Sequence, residues 1–198
     1  MAWSFERVAG PFNGRTGGLA WEGRALLVSA VQEERVLRFD PETRKCTDFR
    51  RWTGRVNGLA LAPDGSVYGA QEGGRRVVRF MPDGSTVAVT EFLDGRRHNQ
   101  PADVAIDSRG RVWIADAYNG QAPYGPPTAP FLEHASVLRN EPVGPGMYRL
   151  TRVTHDTAGP RSVLLSADEK ILYVADGDIE RGDVCQLLAY EVSASGSL

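Results

Sequence analysis

Five side chains able to bind a cation or move a proton stand at comparable places in this 198-residue sequence. Asn57, Asn99, Asp103, Asp116 and Asp176 each flank a short apolar run, where a side chain at a strand edge can reach a shared channel. Amide and carboxylate oxygens are the donors that hard divalent ions take. An ion held by them can polarise an ester carbonyl while an activated water attacks. The same residues have plainer uses. Asn57 precedes Gly58, a common turn pair, and Asp103 and Asp116 can cap neighbouring backbone N–H groups. Asp176 follows Tyr-Val-Ala and reads as closing a strand.

Three histidines, His98, His134 and His155, could act as general base or ligand, though no two share a ligand-like spacing. His134, beside Glu133, is the best placed of them to face a pocket. The lack of any Gly-x-Ser-x-Gly argues against a serine hydrolase, the nearest match, Asp64-Gly65-Ser66, being a hairpin turn. Trp21, Trp52, Trp113 and Tyr148 read as packing between strands rather than as a stacking platform.

The elements that must position these groups repeat. Four segments, starting at Gly18, Gly58, Asp103 and Ser162, each consist of an apolar run, a turn and a second apolar run, and they begin 40, 45 and 59 residues apart. Turns such as Pro63-Asp64-Gly65 and Ser108-Arg109-Gly110 carry residues that tolerate tight backbone, so each segment predicts a β-hairpin. A further shared element, Val36-Leu-Arg-Phe, Val77-Val-Arg-Phe, Met147-Tyr-Arg-Leu and a looser Leu187-Leu-Ala-Tyr, predicts a third strand. Cys46-Thr-Asp-Phe and Thr86-Val-Ala-Val supply a fourth. Units of roughly 40 to 50 residues with four antiparallel strands are propeller blades. A β-sandwich would also show short strands, but it needs no similarity between successive hairpins. The reading is therefore all-β: one propeller domain over residues 1–198 with about four blades. The widest spacing holds an insertion at 118–146, read as a long loop because six prolines there withhold ladder donors.

Composition narrows the partners. The net charge is −2, and of 23 basic residues only Lys45 and Lys170 are lysine, the arginines being scattered among acidic residues. No basic stripe marks a nucleic-acid partner. No apolar run is long enough for a membrane span, no leader pattern opens the chain, and a cytoplasmic place is expected. Cys46 and Cys185 form no disulfide framework and are expected as buried free thiols.

Laid out as blades, the chain resembles the SMP-30/gluconolactonase (LRE-like) family. The resemblance is densest in Val56-Asn-Gly-Leu-Ala-Leu-Ala-Pro-Asp-Gly through Glu72-Gly-Gly-Arg-Arg-Val-Val-Arg-Phe, in Arg97-His-Asn-Gln-Pro-Ala-Asp-Val-Ala-Ile-Asp and in Ser166-Ala-Asp-Glu-Lys-Ile-Leu-Tyr-Val-Ala-Asp. Glu133-His-Ala-Ser-Val-Leu-Arg is similar to a segment of bacterial members. It implies a six-bladed propeller hydrolysing small-molecule lactones with a divalent cation, Ca²⁺, Zn²⁺, Mn²⁺ or Mg²⁺, in its channel.

Carried over residue by residue, the resemblance implies a lost ligand set. The family's glutamate falls on Gly17, its asparagine before aspartate on Ala102 and the asparagine of Pro-Asn-Gly on Arg161, while its last aspartate falls beyond Leu198. Asn99 is the nearest substitute for the absent asparagine. An arginine in the channel would repel a divalent ion. No bound metal and no lactonase activity are therefore expected in this form. A non-catalytic propeller binding a small molecule or protein is the alternative. Against six blades, the Trp3-Ser-Phe-Glu-Arg-Val segment reads as the outer strand of an incomplete blade. Bare end faces would drive self-association and poor solubility.

Overall fold

In the computed structural model, residues 3–117, 131–144, 147–177 and 182–198 are described. Seventeen strands run through them: β1 (Thr16–Trp21), β2 (Leu26–Ala30), β3 (Arg35–Asp40), β4 (Lys45–Arg51), β5 (Val56–Leu61), β6 (Val67–Gln71), β7 (Arg76–Phe80), β8 (Thr86–Thr90), β9 (Phe92–Leu93), β10 (Arg96–Arg97), β11 (Gln100–Ile106), β12 (Val112–Ala117), β13 (Ser136–Gly144), β14 (Met147–Arg152), β15 (Ser162–Leu165), β16 (Ile171–Asp176) and β17 (Gln186–Glu191). They form meandering antiparallel sheets β1-β2-β3-β4, β5-β6-β7-β8, β11-β12-β13-β14 and β15-β16-β17, with β9-β10 a small hairpin between the second and third. These are the blades the repeat predicts. No helix long and apolar enough to cross a membrane is present among the described residues.

The predicted hairpin turns close by local chemistry. Gly65 and Gly110 take φ of 80° and 75°, where a side chain would be strained. Asp64 Oδ1 accepts the Ser66 N–H at 2.9 Å and Asp107 Oδ1 accepts those of Arg109 and Arg111 at 3.0 and 2.9 Å. The fourth hairpin has no glycine at this place, and Glu169 itself adopts φ 57°.

Successive sheets stack face to face, with one apolar layer at each junction. Ala20, Leu27 and Val36 meet Val56, Leu59, Val67, Val78 and Phe80. Ala70 and Val77 meet Val104, Val112, Ile114, Leu132 and Leu138. Trp113, Ala115 and Val137 meet Val163, Leu172 and Val174. Removing these side chains from water is the main stabilising term, about 1.5–3 kcal/mol for each large one. The innermost strands touch in the series β1 to β5, β5 to β11 and β11 to β15, and the ring is open.

Five expectations are corrected. Met147-Tyr-Arg-Leu forms the outer strand β14, not a third strand. The third is β13, inside the segment read as loop. Pro142 is tolerated there because it sits at a register shift between β13 and β14, where a missing N–H donor costs little. The rest of that segment, at 118–130 and 145–146, lies outside the described residues. Trp3 to Val8 form no strand, for no neighbouring ladder is offered to them. Cys46 and Cys185 are exposed thiols, Cys46 on the outer strand β4 and Cys185 beside the edge strand β17, where few residues cover them. Of the four aromatics read as packing, only Trp113 is enclosed; Trp21, Trp52 and Tyr148 are half or more exposed because they lie at edges and turns.

Candidate functional site

The entries to the innermost strands carry the candidate residues, and one structural device recurs there. In the second, third and fourth blades a side chain at or next to the end of the second strand clamps the segment that leads into the first. Gln71 Nε2 donates to the Thr53 carbonyl at 2.7 Å ahead of β5. Asp116 Oδ2 accepts the Asn99 N–H at 2.9 Å ahead of β11. Asp176 accepts the Ala158 and Gly159 N–H groups at 2.8–3.1 Å ahead of β15, with Gln186 Nε2 at 3.4 Å. Asp176 closes its strand as read. Asp116 does the same work with one oxygen only.

Asn99 and His134 meet at this level. Asn99, wholly buried, donates from Nδ2 to the His134 carbonyl at 3.2 Å, and Arg75 donates to the Asn99 carbonyl from the other side. The His134 ring lies at 2.9 Å from Ser136 Oγ, which also accepts from Arg152 at 2.9 Å. His134 is therefore held by the start of β13 and by Asn99. His98, ranked below it on sequence, is the enclosed histidine: Nε2 is 3.2 Å from Thr90 Oγ1, and Nδ1 is 3.7 Å from Asp116 Oδ1. No periodicity marks His98; its only signal is its place beside Asn99 ahead of a strand.

The innermost strands bring together a second group. The Asn57 side chain fills the space into which a side chain on Gly17 would project, and the Asn57 carbonyl is 2.9 Å from that position. Gly58 likewise lies so close to Asp103 that no Cβ fits between them. Asp103 Oδ2 accepts from Ser162 Oγ at 2.5 Å and from the Val163 N–H at 3.2 Å, and Oδ1 from the Val104 N–H at 2.9 Å. Burial raises the Asp103 carboxyl above its ordinary range, against the pull of those donors. Ala102 is buried and offers no donor atom, and Arg161 is half-buried with its N–H on the Ala175 carbonyl at 2.8 Å. The hydrogen bonds of Asp176 go to Ala158, Gly159 and Gln186, which belong to neither group. Among the described residues, no three His, Cys, Asp or Glu side chains gather to hold a metal.

The sequence model of the SMP-30/gluconolactonase/LRE-like region matches residues 16–197. The chain belongs to this family. A gluconolactonase of Zymomonas mobilis is 28% identical over 123 residues, 62% of this chain and 33% of that protein. An L-arabinolactonase of Azospirillum brasilense is 36% identical over 100 residues, 46% of this chain and 31% of that protein. The solved structure of a gluconolactonase from Xanthomonas campestris superposes with a TM-score of 0.78 at 27% identity, over 89% of this chain and 57% of that one. The SMP-30/gluconolactonase match thus spans about a third of the curated relatives' lengths.

Proposed function

We propose that this chain is a lactonase-type propeller segment, hydrolytic by descent, that does not hydrolyse sugar lactones in this form because the channel cannot hold the family's cation. The reading rests on Gly17. It provides no side-chain donor atom, and the place where a carboxylate would start is taken by Asn57. Ala102 adds none and Arg161 adds positive charge. Both Asp103 oxygens already accept N–H or O–H donors, so that carboxylate would have to give up three hydrogen bonds to become a ligand. A hard ion takes about six oxygens, and water replaces some of them but not a whole anionic set. These residues do not fit a divalent ion in the channel.

The test is hydrolysis of D-glucono-δ-lactone with Ca²⁺, Mn²⁺ or Mg²⁺ present, beside a full-length lactonase of the family. Rates at the uncatalysed level support the reading. Turnover that rises with one of these ions and falls with Asp103→Asn overturns it. The same reading carries self-association through the outward face of β15 and β17, where Leu164 and Leu187 are 65% and 72% exposed.

A further inference from the structure

We propose that His98, Asp116 and Asn99 form a buried binding site for a zinc-class transition-metal ion, one strand out from the channel and separate from the family's cation position. The first observation is a difference between two like positions. In the last blade both Asp176 oxygens accept backbone N–H groups. In the third blade Asp116 Oδ2 does so, while Oδ1 is left without a partner, 3.7 Å from His98 Nδ1, which has none either. Both side chains are fully enclosed, as is Asn99, whose Oδ1 is also unpartnered. Buried polar atoms ordinarily find partners, and three orphans on adjoining residues call for an occupant.

The distance selects among occupants. At 3.7 Å the pair is too far apart for a direct hydrogen bond, which needs roughly 2.7–3.2 Å. A bridging water with two legs of about 2.8 Å would have to bond at an angle near 80°, well short of tetrahedral. Two ligands at about 2.1 Å from one ion lie about 3.4 Å apart in tetrahedral and about 3.6 Å apart in trigonal arrangement. The last matches the pair to about 0.1 Å, and the tetrahedral one needs a few tenths of an ångström of adjustment.

The donor set agrees. The site requires the tautomer in which His98 Nε2–H donates to Thr90 Oγ1, 3.2 Å away, and Nδ1 carries the lone pair; an imidazole with its second nitrogen so anchored is the usual form of a metal ligand. Asp116 is anchored by the Asn99 N–H, and Asn99 by the His134 carbonyl. One imidazole, one carboxylate and one amide oxygen suit zinc or cobalt better than calcium, which takes only oxygens in larger number. The nearby Arg75 guanidinium lies over the Phe131 ring, 3.6 Å from its centroid. Because the site is closed, the ion must enter during folding or local opening.

Protein expressed with Co²⁺ supplied in place of Zn²⁺ tests this by metal content, visible d–d absorption and melting temperature. About one Co²⁺ per chain is expected, with absorption typical of four or five ligands and a higher melting temperature than the chelator-stripped protein. His98→Gln and Asp116→Asn should each weaken Co²⁺ binding at least about tenfold, whereas Asp176→Asn, which removes the like clamp in the last blade, should keep the absorption. A folded wild type without Co²⁺ absorption overturns the proposal, as does absorption that survives His98→Gln. Should that variant not fold, imidazole nitrogen NMR of the wild type decides: His98 signals displaced on Co²⁺ loading support the site, and unchanged His98 signals sink it.

Discussion

Asn57 occupies with its side chain the volume that any side chain on Gly17 would enter, so the first two blades meet along the channel without room for a carboxylate from β1. Two residues forty positions apart thereby decide together what the channel can hold.

Restoring the family's residue by Gly17→Glu should therefore destabilise the protein, by about 1–3 kcal/mol, the usual cost of overpacking. Urea unfolding of Gly17→Ala, Asn57→Gly and the double variant measures the coupling. The double variant should be more stable than the sum of the single losses, because removing the Asn57 side chain relieves part of the clash and leaves only the 2.9 Å approach to its carbonyl. Strict additivity would contradict the steric account.

Asp103 should give stability an unusual pH dependence. Its carboxyl is raised by burial, so the folded state holds the proton more tightly than the unfolded chain does. Its contribution is fully present below the ordinary carboxylate value, near pH 4. It declines as pH rises toward the folded-state value and stays lower above it. Relative to wild type, Asp103→Asn should thus gain melting temperature as pH rises from about 3.5 to 7. A gap that stays constant, or that moves the other way, argues against the assignment.

Asp107 ties a turn to the core. Its Oδ1 accepts two backbone N–H groups, and its Oδ2 accepts Arg111 Nε at 2.5 Å and Trp113 Nε1 at 3.0 Å, with Trp113 and Asp107 fully enclosed. Asp107→Ala leaves these donors buried and unpaired and should cost about 3 kcal/mol, or roughly 6–12 °C in melting temperature for a chain of this size. Asp64→Ala, at the like turn but exposed, should cost well under half of that. Calorimetry of the two variants checks the difference.

Much of this protein follows from local pattern. Alternating apolar runs, Asp-Gly turns and a recurrence of about forty residues suffice for four antiparallel sheets, because strand pairing across a short turn depends on neighbours in the chain. The aspartate at or next to the end of a second strand, in Ile-Ala-Asp116 and Val-Ala-Asp176, is likewise readable as a clamp, since the repeat places both at a comparable height in their blades. Strand β13 was hidden by Pro142, whose cost depends on a register shift that only the sheet reveals. Tertiary structure alone decided what the candidate residues face. Asp103 meets Ser162 across fifty-nine positions, Asn57 fills the space beside Gly17, and His98 rather than His134 is enclosed with an unpartnered carboxylate oxygen. Such meetings are set by how far each blade rotates onto the next, a quantity fixed by the packing of whole faces and carried by no single residue's type.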